Sequence, residues 1–281
     1  MNNSLYIAAT GMQAQQQDLD TIANNLTNLS TPAYKASNVN FQELMYTDPL
    51  GARPVQGVPG HAHAKSHHTH AAENTAELSE QPATAYGSGV SVGSITKDFS
   101  VGTITQTGAP MDVAIQGSGF IEVTMPDGTL AYTRGGRFGV SKDNYLTSPQ
   151  GNEIKPSIRL PANPTSITIA PNGLVTATAG SSTQPVQVGQ IELANFNNPG
   201  ALNPIGNGLY LPTDASGRAS YGKPGDNSNG TLAQGAVEGS NVNMVNQMVS
   251  LMVAQRAYEM SAKVVQTSDE LMSMTNNLRR S

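Results

Sequence analysis

The chemically loudest stretch of this sequence is a run of imidazoles. All five histidines fall between residues 61 and 70, as His61, His63, His67, His68 and His70. His-x-His and His-His-x-His spacings can chelate nickel, copper or zinc, because neutral imidazole is a common ligand for such metals. With ring pKa values near about 6.5, the same run could add several positive charges in mild acid. No Asp, Glu or Cys is interleaved to close a coordination shell, and the nearest acid, Glu73, lies outside the run. A tolerated polar insertion that takes up metal adventitiously is the simpler reading, so no resident metal and no cofactor is expected.

Other catalytic patterns are missing. There is no His-Glu-x-x-His and no Gly-x-x-x-x-Gly-Lys-Ser/Thr phosphate loop. Gly117-Ser118-Gly119 is the nearest glycine motif. It lacks a third glycine and a following helix, so it predicts a tight turn rather than a phosphate cradle. A Ser-His-Asp triad would have to draw its histidine from the 61–70 run, a poor platform for precise positioning. With no Cys, thiolate zinc sites, disulfides and cysteine nucleophiles are excluded. No enzyme is expected.

Composition points the same way. Charged residues are 12% of the 281, about half the usual share, and the net charge is −5. Ser, Thr, Asn and Gln take their place, giving a polar, nearly uncharged surface with no basic footprint for nucleic acid. No segment has the roughly 20 apolar residues that cross a bilayer. The first basic residue is Lys35, and Gln15, Gln16, Gln17 and Asp18 interrupt any apolar core, so no cleavable secretion signal is expected.

The elements that would position any site are helical at the ends and sheet between them. Leu5, Met12, Leu19 and Leu26 recur every seven residues, with Ala8, Gln15, Ile22 and Leu29 three positions on. That 3/4 spacing predicts a coiled-coil helix over 4–30, closed by Pro32. Ala257, Val264, Leu271 and Leu278, with Val253, Met260, Thr267 and Met274, repeat the device. Val242, Val245, Val249 and Met252 continue it upstream in a shifted frame, predicting one helix over 241–279. Residues 1–34 hold no Lys or Arg and only two acids, Asp18 and Asp20. A lone coiled coil carries charged flanks. Long helices without them imply faces buried against other copies of the chain, although an intramolecular hairpin with a plain surface would also fit.

Between the ends, Met111, Val113 and Ile115 alternate with polar residues, as do Leu130 with Tyr132, Ile167 with Ile169, and Val186 with Val188. Period-2 patterns with turn signals between them predict a β domain, each strand with one buried and one wet face. Residues 212–230 read as a long loop or flap. The resulting fold class is segregated α+β. Residues 1–35 and 238–281 form a helical domain, 36–88 an extended connector with the histidine insertion, and 89–237 a β-rich outer domain.

Several segments carry a specific resemblance. Ala23-Asn24-Asn25-Leu26-Thr27-Asn28-Leu29-Ser30-Thr31-Pro32-Ala33-Tyr34-Lys35 resembles the N-terminal signature of bacterial flagellar rod and hook proteins. Glu238-Gly239-Ser240-Asn241-Val242-Asn243, then Gln255-Arg256-Ala257-Tyr258-Glu259, resembles their C-terminal signature. Gly117-Ser118-Gly119-Phe120 and Asp127-Gly128-Thr129-Leu130-Ala131-Tyr132-Thr133-Arg134 fit the middle, which is most similar to the distal-rod members. Outside 48–88, the likeness covers nearly the whole chain.

The resemblance implies a structural subunit of the basal body, polymerised into a helical rod that carries torque from motor to hook. It implies export through the flagellar type III apparatus and a place in the rod where it crosses the periplasm. Its partners would be copies of itself, proximal rod and hook subunits, and basal-body ring proteins. Leu5, Met12, Leu19, Ile22, Leu26, Val249, Val253, Met260, Val264 and Leu271 would meet other subunits. Asn24, Asn25, Asn28, Tyr34, Lys35, Asn241, Val242, Gln255, Arg256, Ala257, Tyr258 and Glu259 are the matching motif positions. A proximal rod or hook subunit is the alternative within the family, and a metal-binding module on the histidines the alternative outside it. Two departures stand out. Ala33 occupies a position where the family usually has glycine, so the turn there could differ. Asn144 replaces a turn glycine, a mild change because Asn tolerates the left-handed region.

Overall fold

The apolar 3/4 spacing at the two ends of the chain becomes two long helices, α1 (Asn2–Thr27) and α2 (Met244–Leu278). The computed structural model describes residues 2–44, 46–47, 86–162, 164–179, 184–226 and 229–278. The His61–His70 run lies outside the described residues. Helix α1 stops earlier than the spacing suggests. Asn28 folds back on the Asn24 carbonyl through both its backbone N–H and its side-chain amide, at 3.2 and 2.9 Å. Tight turns at Leu29 and Thr31 then bring the chain to Pro32.

The helices pair antiparallel. Ser4 and Ser268 hydroxyls are 3.1 Å apart, Gly11 faces Ser261, and Asn25 reaches Gln247 at 3.4 Å. On α1 the buried positions are Ala8, Ala14, Thr21, Ile22 and Asn25. On α2 only Ala254 is fully buried, with Gln247, Leu251, Ser261, Val265 and Ser268 half-buried around it. The seam within the chain is thus largely of small and polar side chains, with Ile22, Leu251 and Val265 as its larger apolar members.

An antiparallel hairpin, β1 (Ser37–Glu43) with β2 (Val90–Lys97), packs on α1. The β domain begins with β3 (Ile104–Gln106), β4 (Asp112–Gln116), β5 (Phe120–Thr124), β6 (Leu130–Thr133) and β7 (Gly135–Arg137). It continues with β8 (Pro164–Ile169), β9 (Leu174–Ala179), β10 (Val186–Gln190), β11 (Leu193–Asn195) and β12 (Leu209–Leu211). Strands β13 (Thr231–Gln234) and β14 (Ala236–Glu238) complete it. The largest sheet joins β5, β6, β11 and β12 with short flanking strands; β8–β9–β10 and β13–β4–β7 form two three-stranded sheets, and β14 pairs with β3.

The alternation expected of these strands holds only in part. In β4, Val113 and Ile115 enter the main core, while Asp112 and Ala114 on the opposite side are equally buried. A strand central to its sheet, covered on both sides, has no wet face. At the edge of its own sheet, β10 leaves Val186 58% exposed. The stretch expected as a flap is pinned: Ser220–Gly222 pairs with β11, and the Tyr221 hydroxyl meets that of Tyr132 at 3.1 Å. A second core gathers Phe99, Phe120, Tyr132, Phe196 and Tyr210 edge-to-face, with ring centroids 4.9 to 6.2 Å apart.

Candidate functional site: the helix–domain junction and the outer helical face

The chain passes between helices and β domain twice, at residues 28–36 and again at 239–243, and the two crossings are bonded together. Ala33 donates its N–H to the Glu238 carbonyl at 2.7 Å, and the Ala36 N–H donates to Asn241 Oδ1 at 2.8 Å. Asn241 Nδ2 donates in turn to the Asp98 carbonyl at 2.8 Å. Gly102 touches the second crossing so closely that a Cβ would fall on the Gly239 carbonyl oxygen. Ala33 keeps the left-handed turn that glycine favours, with φ of 56°. Ala33 therefore holds, at an energetic cost, a conformation that glycine takes freely.

At the centre of the junction lies a buried ion cluster. Glu238 accepts from Lys35 Nζ at 2.7 Å and from the Gly102 N–H at 3.0 Å. It also accepts from Arg134 through Nε at 3.2 Å and Nη2 at 3.3 Å. The three side chains are between 0 and 2% exposed. Burial pushes the Lys35 ammonium below the usual lysine range, and Glu238 opposes that shift. Lys35 also donates to the Ser100 carbonyl, and Arg134 to those of Gly117 and Gly119. The Gly117–Gly119 turn thus presents carbonyls to a cation, the opposite of a phosphate cradle. Buried ions gain little net stability over apolar packing, but breaking such a set is costly. One carboxylate here ties the chain after α1, the strand before α2 and the β domain into one arrangement.

The asparagines after α1 are part of the same junction. Asn25, 1% exposed, donates to the Ser37 carbonyl and accepts from the Ser37 N–H, both at 2.8 Å, acting as a surrogate strand neighbour for the start of β1. Tyr34 donates its hydroxyl to Asn24 Oδ1 at 2.8 Å. Asn28 holds Asn24 as described above, and Val242 is buried beside the second crossing. Of the matching motif positions, Asn24, Asn25, Asn28, Tyr34, Lys35 and Asn241 lie here. Sequence reasoning did not single out Arg134 or Glu238, although both stand in motif segments. The only available signal was a lone charge among glycines and apolar residues.

The remaining motif residues lie elsewhere. Gln255, Arg256, Tyr258 and Glu259 are on the exposed side of α2, with Ala257 half-buried. Arg256 and Glu259 pair at 3.2 Å, but at 80 and 65% exposure such a pair contributes little. Of the positions expected to meet other subunits, Ile22 is buried within the chain, while Leu5, Met12, Leu19 and Leu26 are half-buried. The α2 set faces outward: Val249, Val253, Met260, Val264 and Leu271 are 49 to 65% exposed. With Val245 and Leu278 they form a nearly continuous apolar stripe on the side of α2 away from α1. The helix is more apolar on its outer side than on its inner one, the reverse of a surface helix. Stripes of this length mark interaction surfaces. Among the described residues, no group of three or more His, Cys, Asp or Glu converges as a metal site.

Comparison with known proteins adds three regional matches. Residues 5–35 match the flagella basal body rod protein family, 114–177 the D1 domain of flagellar hook protein FlgE/F/G, and 233–278 the C-terminal region of flagellar basal body rod FlgEFG proteins. Whole-length relatives agree. The chain is 39% identical to the flagellar basal-body rod protein FlgG of Borreliella burgdorferi across 100% of both chains. It is 38% identical to that of Caulobacter vibrioides over 98% of this chain and 99% of the relative. Identity to that of Bacillus subtilis is 32% over the full length of both.

Proposed function

The chain belongs to the FlgG family of flagellar basal-body rod proteins, and we propose that it polymerises through the outer apolar stripe of α2. It is a structural axial subunit of the distal rod, not an enzyme, and its place is the basal body. The observation that carries the polymer contact is the inverted helix. Half-exposed Val, Met and Leu side chains each retain about 1 kcal/mol of unrealised burial, so the stripe offers on the order of 5–10 kcal/mol before association costs. Copies of the same chain are the natural cover, since rod subunits are packed against one another at high local concentration.

Residues 1–35 with 238–281 then act as the polymer core, 36–88 as the connector and 89–237 as the outer domain. The buried Lys35–Glu238–Arg134 cluster holds core and outer domain at a fixed angle, which suits a stiff shaft transmitting torque from motor to hook. Proximal rod subunits, hook subunits and ring proteins are its further partners, and the type III apparatus its export route. Deleting residues 1–30 or 245–281 tests the reading. Both deletions should abolish rod assembly and motility; a completed rod built from either truncated chain would sink it.

A further inference from the structure

A groove of about 730 Å³ lies beside the junction, walled by the Thr31–Tyr34 turn, β6, β7 and the Gly206–Gly208 turn. Three features mark it as more than a crevice. Two of the three non-glycine residues with positive φ among the described residues, Ala33 and Asn207, stand in its walls. Of the two only Ala33 is strained, since Asn tolerates the left-handed region, and strain of that kind gathers at functional surfaces. The groove also carries two cations, Lys97 and Arg137, and no carboxylate among the described residues that line it. Finally, Lys97 is half-buried with no ion-paired acid among the described residues. Its Nζ donates to the Lys35 carbonyl at 3.0 Å and sits 4.6 Å from the Tyr34 ring centroid, and burial lowers its pKa. Lys35 next to it has Glu238; Lys97 has no such partner among the described residues. Arg137 gives Nε to the buried Asp112 at 3.1 Å, and its side chain as a whole is 77% exposed.

We propose that this groove receives the Pro126–Asp127–Gly128 turn of a second copy of the chain, with the Asp127 carboxylate between Lys97 and Arg137. The inference deepens the polymer reading and rests on it. Charge complementarity is the first argument, since a desolvated cation gains most from a carboxylate that excludes water with it. Asp127 is fully exposed, and the Thr129 N–H, donating to it at 2.9 Å, holds its carboxyl below the usual range, so it arrives ionised. Pro126, exposed at the turn, supplies an apolar flank for the Pro32 wall. Position is the second argument. Thr133, at one end of the β5–β6 hairpin, lines the groove, while residues 126–128 are the turn at the other end. A site and its complement at opposite ends of one rigid hairpin make a head-to-tail contact, the kind that extends a filament instead of closing a dimer.

The chain has no native Cys, which makes cross-linking clean. Asp127→Cys and Gln150→Cys proteins, mixed under assembly conditions and oxidised, should form disulfide-linked heterodimers that neither forms alone. Asp127→Lys should raise the concentration needed for assembly about tenfold or more, and adding Lys97→Glu to it should recover most of that loss. Wild-type assembly with no cross-link and no effect of Asp127→Lys would overturn the groove contact while leaving the α2 interface standing. Assembly that persists without residues 245–281 would instead overturn the polymer reading beneath it.

Discussion

Replacing Glu238 by Gln should unfold the junction. The carboxylate faces four donors, at 2.7, 3.0, 3.2 and 3.3 Å, from Lys35, Gly102 and both Arg134 nitrogens. An amide of the same shape has one oxygen and an NH2 group, so whichever way it turns, one N–H meets another donor. The buried cluster also changes from two cations and one anion to two cations alone. Breaking a buried pair from one side costs about 3–5 kcal/mol, a large part of the roughly 5–15 kcal/mol that holds a typical domain. Urea unfolding followed by circular dichroism and tyrosine fluorescence is suitable, because the chain has no Trp. At a slope of about 2 kcal/mol per molar, the midpoint should fall by about 2 M. Adding Lys35→Met removes the stranded ammonium and should recover part of the loss. A cost below about 1 kcal/mol for Glu238→Gln, or no recovery in the double variant, would refute the electrostatic account of the junction.

Three smaller perturbations probe other parts of the account. Ala33→Gly should stabilise the protein by about 0.5 kcal/mol, since relief of the left-handed strain exceeds the added freedom of the unfolded chain; a lower thermal midpoint would contradict it. Burial pushes the Tyr210 hydroxyl up from 10.0 to about 12. Its contribution is therefore complete below pH 10 and is lost as pH rises toward 12, by about 2–3 kcal/mol, because the unfolded chain ionises first. Tyr210→Phe should flatten that part of the stability–pH curve. Chelator should leave assembly unchanged, as should deletion of residues 61–70; assembly lost on metal removal would restore the histidines to a central role.

The two helices and the segregated α+β plan were legible because heptad spacing and period-2 alternation are local signals. What the spacing could not say is which stripe meets which partner. Apolar periodicity points to the strongest stripe, through Val253, Met260 and Leu271, yet the contact within the chain runs through Ala254, Ser261 and Ser268. The most apolar face is left exposed on the monomer, and no single-chain rule reveals that. Family motifs led to Asn24, Asn25 and Lys35, but the convergence of Lys35, Arg134 and Glu238 spans separations of 104 and 203 residues. Such a cluster exists only once the β domain has brought Arg134 back beneath both crossings. The strands with no wet face were misread for a related reason: alternation reports one cover, and β4 has two.

Assembly of a chain with charges on the outer stripe tests the central claim most directly. Val253 and Met260 are 63 and 65% exposed, so Val253→Asp with Met260→Asp should leave the monomer's thermal midpoint within a few degrees of wild type. Sedimentation and electron microscopy should then show folded monomers and no rods. Rods of normal length and abundance from this double variant would mean that the stripe is not the surface that joins one subunit to the next.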